Sequence, residues 1–253
     1  MLKKIVLASM LMGAVGVTNA YQAELGGSVH FIDPDDGDSS TGFAIDGTYY
    51  FNPVEVKTYP FHEAGFLNRA SNIDATIAYT DYDWLERTSF GVGVEYFIPN
   101  SDFYLSGSVG RIKVEEDGYS DYDITSYAAE VGYLPAPGLL IALGLAGYDA
   151  DDDDDVDPTL RAKYVTQVGA YDMNFEAGAQ FGDDNAYTLG TDFYFDKTFS
   201  VGVAYSGSDA KGVDDDIFTV RAKKFFTQQF SLEGSVNFED AGNVFGVRGA
   251  YRF

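Results

Sequence analysis

The sequence predicts an all-β chain: a transmembrane, up-and-down antiparallel β-barrel of about fourteen strands, with twelve or sixteen as alternatives. Three observations carry this. Segments of about ten residues alternate apolar and polar side chains, which is the period of a strand between two different surroundings and the length of a tilted strand crossing a bilayer. The connections alternate too, acidic ones with short turn-like ones, as an up-and-down barrel requires when every second connection shares a rim. Gly (28), Tyr (19) and Phe (20) are abundant at a mean hydropathy of only −0.14, which suits a wall apolar on one side only.

The first twenty residues stand apart. Lys3 and Lys4 precede an apolar run over residues 5–17, and Thr18, Asn19 and Ala20 supply small residues before a cut after Ala20. This is the pattern of a secretory signal peptide, and the run is too short for a membrane anchor. The expected barrel is then residues 21–253.

Its first segment, 21–31, sets Tyr21, Ala23, Leu25, Gly27, Val29 and Phe31 outward against Gln22, Glu24, Gly26, Ser28 and His30. Segments 42–51, 73–80 and 90–96 repeat the rhythm, with Phe43, Ile45, Ile77 and Val94 outward and Asp46, Asp74 and Glu95 inward. The strand from Phe103 is less regular. A bulge near Gly110 turns Arg111 and Lys113 inward; alternatively, the strand rises above the membrane there. Strands follow at 127–133, 139–148, 159–168, 173–181, 187–195, 199–206, 218–226, 230–238 and 244–253. Segment 139–148 is almost wholly apolar and gives no facing by itself. Acidic connections occupy 33–38, 81–86, 115–123, 149–157, 183–184, 209–216 and 239–240.

The closing strand alternates Phe245, Val247, Gly249, Tyr251 and Phe253 with Val244, Gly246, Arg248, Ala250 and Arg252. It resembles the last strand of Gram-negative outer-membrane barrels, in which a final Phe and an aromatic two residues earlier signal to the barrel-assembly machinery. Tyr251 and Phe253 occupy those positions. A second resemblance lies in the stretch TYPFHEAGFLNRASNIDATIAYTDYD (residues 58–83), the YQAEL at 21–25 and the GTYYF at 47–51. These resemble a family of proteobacterial porins, the outer-membrane general and small-solute porins. The resemblance implies fourteen strands in the cell outer membrane. It also implies passive diffusion of water, ions and small hydrophilic solutes through a narrow charged lumen, with no cofactor. A largely closed structural or adhesive barrel is the alternative that the crowded interior leaves open.

Parity assigns Glu24, His30, Asp46, Asp74, Glu95, Glu130, Glu176, Asp192 and Glu233 to the interior. Arg161, Lys163, Arg221, Lys223, Arg248 and Arg252 share it, with Arg111 and Lys113 if the bulge exists. An Arg or Lys on the lipid face costs about 2–4 kcal/mol near the midplane, so inward placement is favoured. These charges either pair with one another or set a transverse field across a wet pore.

The connection over residues 52–71 is too long for a hairpin turn, which needs about two to five residues. It is also too apolar to stay solvated, with Val54, Val56, Tyr59, Phe61, Phe66 and Leu67. A short helical turn over 62–69 follows Pro60. The segment packs either beneath the rim or inside the lumen against Tyr50 and Tyr194. The second arrangement makes Tyr59, Phe61, His62, Phe66 and Leu67 the constriction.

Other classes fit poorly. A net charge of −24, or −26 once Lys3 and Lys4 are removed (−24 − 2), argues against nucleic acid. There is no Cys, and no Gly-x-Ser-x-Gly elbow or metal-type His pair, so neither an enzyme nor a metal centre is expected. The run Asp151–Asp155 reads as a solvated, self-repelling loop. Its oxygens also suit divalent cations that bridge to lipopolysaccharide, although the Gly and terminal Glu of an EF-hand loop are missing.

Overall fold

A computed structural model describes residues 20–82, 85–116, 118, 121–150, 153–209 and 216–253. The expected signal peptide lies outside them except for Ala20. Fourteen antiparallel strands close into one barrel, each paired with its neighbour in sequence and β1 with β14. They are β1 (Ala20–Pro34), β2 (Ser40–Glu55), β3 (Asn72–Asp81), β4 (Leu85–Phe97), β5 (Phe103–Glu116), β6 (Tyr122–Ala136) and β7 (Leu139–Ala150). The second half comprises β8 (Asp153–Val168), β9 (Tyr171–Gln180), β10 (Ala186–Asp196), β11 (Phe199–Ser208), β12 (Ile217–Phe225), β13 (Phe230–Glu239) and β14 (Gly242–Arg252).

The apolar parity faces outward, leaving Ile45 59% and Leu143 61% exposed. A wall of such residues is stable only against hydrocarbon. One rim is made of short turns. There Gly138 adopts a φ of +75°, and its carbonyl accepts from the Val165 N–H at 2.8 Å; a Cβ at that position would run into the Val165 carbonyl. The opposite rim carries the acidic connections.

The register corrects three expectations. β5 pairs with β4 and β6 without a shift, so there is no bulge at Gly110. Arg111 and Lys113 keep the outward parity of Phe103 and Val109. They stand beyond the last apolar residue of that face, where Arg111 meets Asp123 at 2.7 Å and Lys113 meets Asp121 at 3.2 Å and also Glu115. They do not line the lumen. Tyr21 is turned inward and is 5% exposed, because the β1–β2 register shifts between Tyr21 and Ala23 and a shift exchanges faces. The aspartate run is strand rather than loop: Asp153 opposes Ala150, Asp154 opposes Asp149 and Asp155 opposes Tyr148. Successive side chains in a strand point to opposite faces, and no three acidic or histidine groups converge as metal ligands among the described residues. Asp151 and Asp152 lie outside those residues.

The long connection begins where β2 leaves β3. Their pairing ends at Tyr50 and Asn72, and beyond it Val54 pairs with Tyr21 of β1. Pro60 then precedes a 3-10 turn (Phe61–Glu63) and a single helical turn, α1 (Ala64–Leu67). Proline suits a helix start because its missing N–H would be unpaired there anyway. The helix ends before Arg69, whose φ of +50° breaks it. The Arg69 guanidinium donates to Asp102 at 2.8 Å and to the Ser101 carbonyl at 3.1 Å.

Candidate functional site: a charged belt above a crossing segment

Side chains of inward parity form a belt of ion pairs. Three pairs lie directly opposite on adjacent strands: Lys163 with Glu176 at 2.8 Å, Lys223 with Glu233 at 3.2 Å, and Arg252 with Glu24 at 2.6 Å. Three others reach across an intervening strand. Arg221 of β12 holds Asp192 of β10 at 2.7 Å over Gly202 of β11, where a Cβ would collide with the carboxylate. Arg248 of β14 reaches Asp46 of β2 over Gly26 of β1 in the same way, and holds Glu24 at 2.9 Å. Arg161 of β8 holds Glu130 of β6 at 2.7 Å across β7. Inward glycines on the middle strand are what allow charges two strands apart to meet.

The expected interior residues therefore come together in ion pairs, apart from Arg111 and Lys113, which lie outside the lumen, and His30, Asp74 and Glu95, which join no ion pair among the described residues. His30 bonds its neighbour Ser28 at 3.0 Å. Asp74 and Glu95 have no cation partner among the described residues. Asn72 and Tyr104 donate to Glu95 at 3.0 and 2.6 Å. Two polar spaces of about 560 and 550 Å³ lie along the interior, and both are lined by Asp74 and Glu95. They are polar and roomy enough to hold water.

The crossing segment meets strands all round the barrel. Val54, Val56, Ala64 and Ala70 pack with Tyr21 against Tyr50 and Phe61. Phe66 enters a second buried cluster of Phe97, Tyr104, Leu134 and Leu140, with the Lys163 ammonium 5.1 Å from its ring centroid. The Phe61 ring meets Phe225 edge-on at 5.6 Å; its N–H donates to the Lys197 carbonyl, and its own carbonyl accepts from Arg252, both at 2.8 Å. Tyr59 and Leu67 line a cavity of about 780 Å³ toward the short-turn rim between β6 and β10.

Glu63 went unrecognised in the sequence. It is 2% exposed, holds Lys163 at 2.9 Å and accepts from the Tyr194 hydroxyl at 2.6 Å. Tyr194 thus meets the segment through a hydrogen bond rather than through apolar packing. The available signal was an acid placed straight after a proline-initiated turn inside an apolar connection. His62 stands between Phe61 and Glu63, with Nδ1 buried and without a hydrogen-bond partner.

A sequence-family model described as "Putative general bacterial porin" matches residues 1–249. The chain belongs to this porin family. Among solved structures, the outer-membrane protein Omp33 of Acinetobacter baumannii is similar at 27% identity, with a TM-score of 0.74 over 92% of this chain and 99% of that one. The CymD monoaromatic hydrocarbon channel has a TM-score of 0.57 at 8% identity, covering 92% of this chain and 89% of its own. The TodX deltaS2S3 mutant, also a monoaromatic hydrocarbon channel, has 0.54 at 8%, covering 92% and 90%. Those two likenesses concern the fold alone. No curated protein matches the sequence. The porin is thus an outer-membrane channel for the passive diffusion of small solutes and ions.

Proposed function

We propose that this porin is a gated diffusion channel whose periplasmic connection, residues 52–71, closes the lumen from below and whose belt favours cations. The observation that carries the reading is the reach of the segment. Its side chains and backbone bond β8, β10 and β14 and pack on β2, β4 and β12. A brace beneath one edge of the rim would touch only its neighbours. Mild cation preference follows from the belt, where six cations face nine carboxylates: the eight expected on the wall and Glu63. Asp74 and Glu95 are the two left without a cation among the described residues, and field-exposed carboxylates draw cations.

Residues 1–20 act as the export signal in this reading, and Tyr251 and Phe253 are read by the assembly machinery. The outer wall contacts lipid and lipopolysaccharide, with divalent cations bridging at the acidic rim. The porin performs no chemistry on its solutes. Replacing residues 54–69 with an Asn-Gly turn should leave a folded, heat-modifiable barrel of higher single-channel conductance. Unchanged conductance in a folded variant returns the segment to a brace, and a barrel silent in both forms favours a structural or adhesive role.

A further inference from the structure

His62 sits in the crossing segment, outside the strands, among the cations of three of them. Arg252 of β14 bonds the Phe61 carbonyl at 2.8 Å and Lys163 of β8 the Glu63 carboxylate at 2.9 Å, on either side of His62, and Arg221 and Lys223 of β12 add their positive charge at its ring. The carboxylates packed around the same elements are already engaged by those cations: Glu63 and Glu176 by Lys163, Asp192 by Arg221, Glu233 by Lys223 and Glu24 by Arg252. With Nδ1 buried and unpartnered, a proton there would find no acceptor.

We propose that His62 is a proton sensor that releases the crossing segment when the pH falls below the ordinary range of histidine. The inference rests on the reading of residues 52–71 as a plug. Docked, the imidazole is neutral and tolerates four cationic neighbours. Protonated, it becomes a fifth cation in the cluster, with the added proton on a buried nitrogen that has no acceptor. Released, it hydrates and titrates normally. Burial, and then the neighbouring cations, hold the docked ring well below its usual value of 6.5. The docked state therefore binds the proton less readily than the released state. Docking strength is at its full value above about pH 6.5 and declines as the pH drops through the window down to the depressed docked value. One proton shifts the released-to-docked ratio by at most about tenfold per pH unit, so up to about thirtyfold between pH 6.5 and 5.0. Most carboxylates stay ionised in that window. The chain has two histidines, and His30 bonds Ser28 on the wall.

The test is planar-bilayer recording from pH 7.5 to 5.0 of the native porin, His62→Gln, His30→Gln and the barrel with residues 54–69 replaced, each first checked for heat-modifiable folding. The native porin and His30→Gln should open as pH falls, His62→Gln should lose that response, and the replaced barrel should conduct well at every pH. A replaced barrel of high conductance beside a native porin indifferent to pH overturns the sensor and leaves the plug standing. A pH response that persists in His62→Gln does the same. A replaced barrel no more conductive than the native porin overturns the plug and the sensor with it.

Discussion

Replacing Glu63 with glutamine removes one charge from the crossing segment and almost nothing of its shape. The carboxylate is 2% exposed, 2.9 Å from Lys163 Nζ and 2.6 Å from the Tyr194 hydroxyl. Glutamine keeps an oxygen for the tyrosine, so the loss falls on the contact with lysine. Stranding a buried charge costs about 3–5 kcal/mol, which is the upper bound because Lys163 retains Glu176 at 2.8 Å. A hydrogen bond to a charged group contributes about 1.5–3 kcal/mol net. Taking about 2 kcal/mol, docking of the segment weakens roughly thirtyfold, at 1.4 kcal/mol per factor of ten. Single-channel recording at neutral pH should show the open fraction of Glu63→Gln rising by that order, with heat-modifiable folding retained. An open fraction equal to the native one, in a folded barrel, would refute the idea that Glu63 latches the segment.

Two further outcomes follow from other parts of the molecule. The Phe253 backbone exchanges hydrogen bonds with Gln22 and Ala23; deleting it should cut outer-membrane levels severalfold while synthesis continues, as measured by fractionation and immunoblotting, and normal surface levels would discard the assembly signal. Reversal potentials should show weak cation preference at low salt that fades as the screening length shortens to about 10 Å at 0.1 M. Asp74→Asn with Glu95→Gln should reduce that preference further, and strong anion selectivity at low salt would be incompatible with the belt.

Much of the barrel is a local property of the chain. A period of two over fourteen segments sets which side chains meet lipid, and a wrong face would be costly at many positions at once. That is why the strand number and the inward set from Glu24 to Arg252 were legible in the sequence. Parity is relative, however, and fails wherever the register or the membrane boundary intervenes. The spacing Arg-x-Lys occurs at 111–113, 161–163 and 221–223; only the first pair shares the parity of its strand's apolar face, and the sequence reconciles that equally with a bulge or with a strand that rises above the membrane. Only the unbroken register of β5 put the first pair outside, above the last apolar residue, where Asp121 and Asp123 receive it. The shift between Tyr21 and Ala23 likewise turned an apparently lipid-facing tyrosine into the core. The composition of residues 52–71 required burial but not a location. The location was decided by partners distant in sequence: Glu63 meets Tyr194 131 residues away, and Phe61 meets Arg252 191 residues away. Ring closure alone brings those groups to face one another, so pairing across the lumen belongs to the tertiary structure.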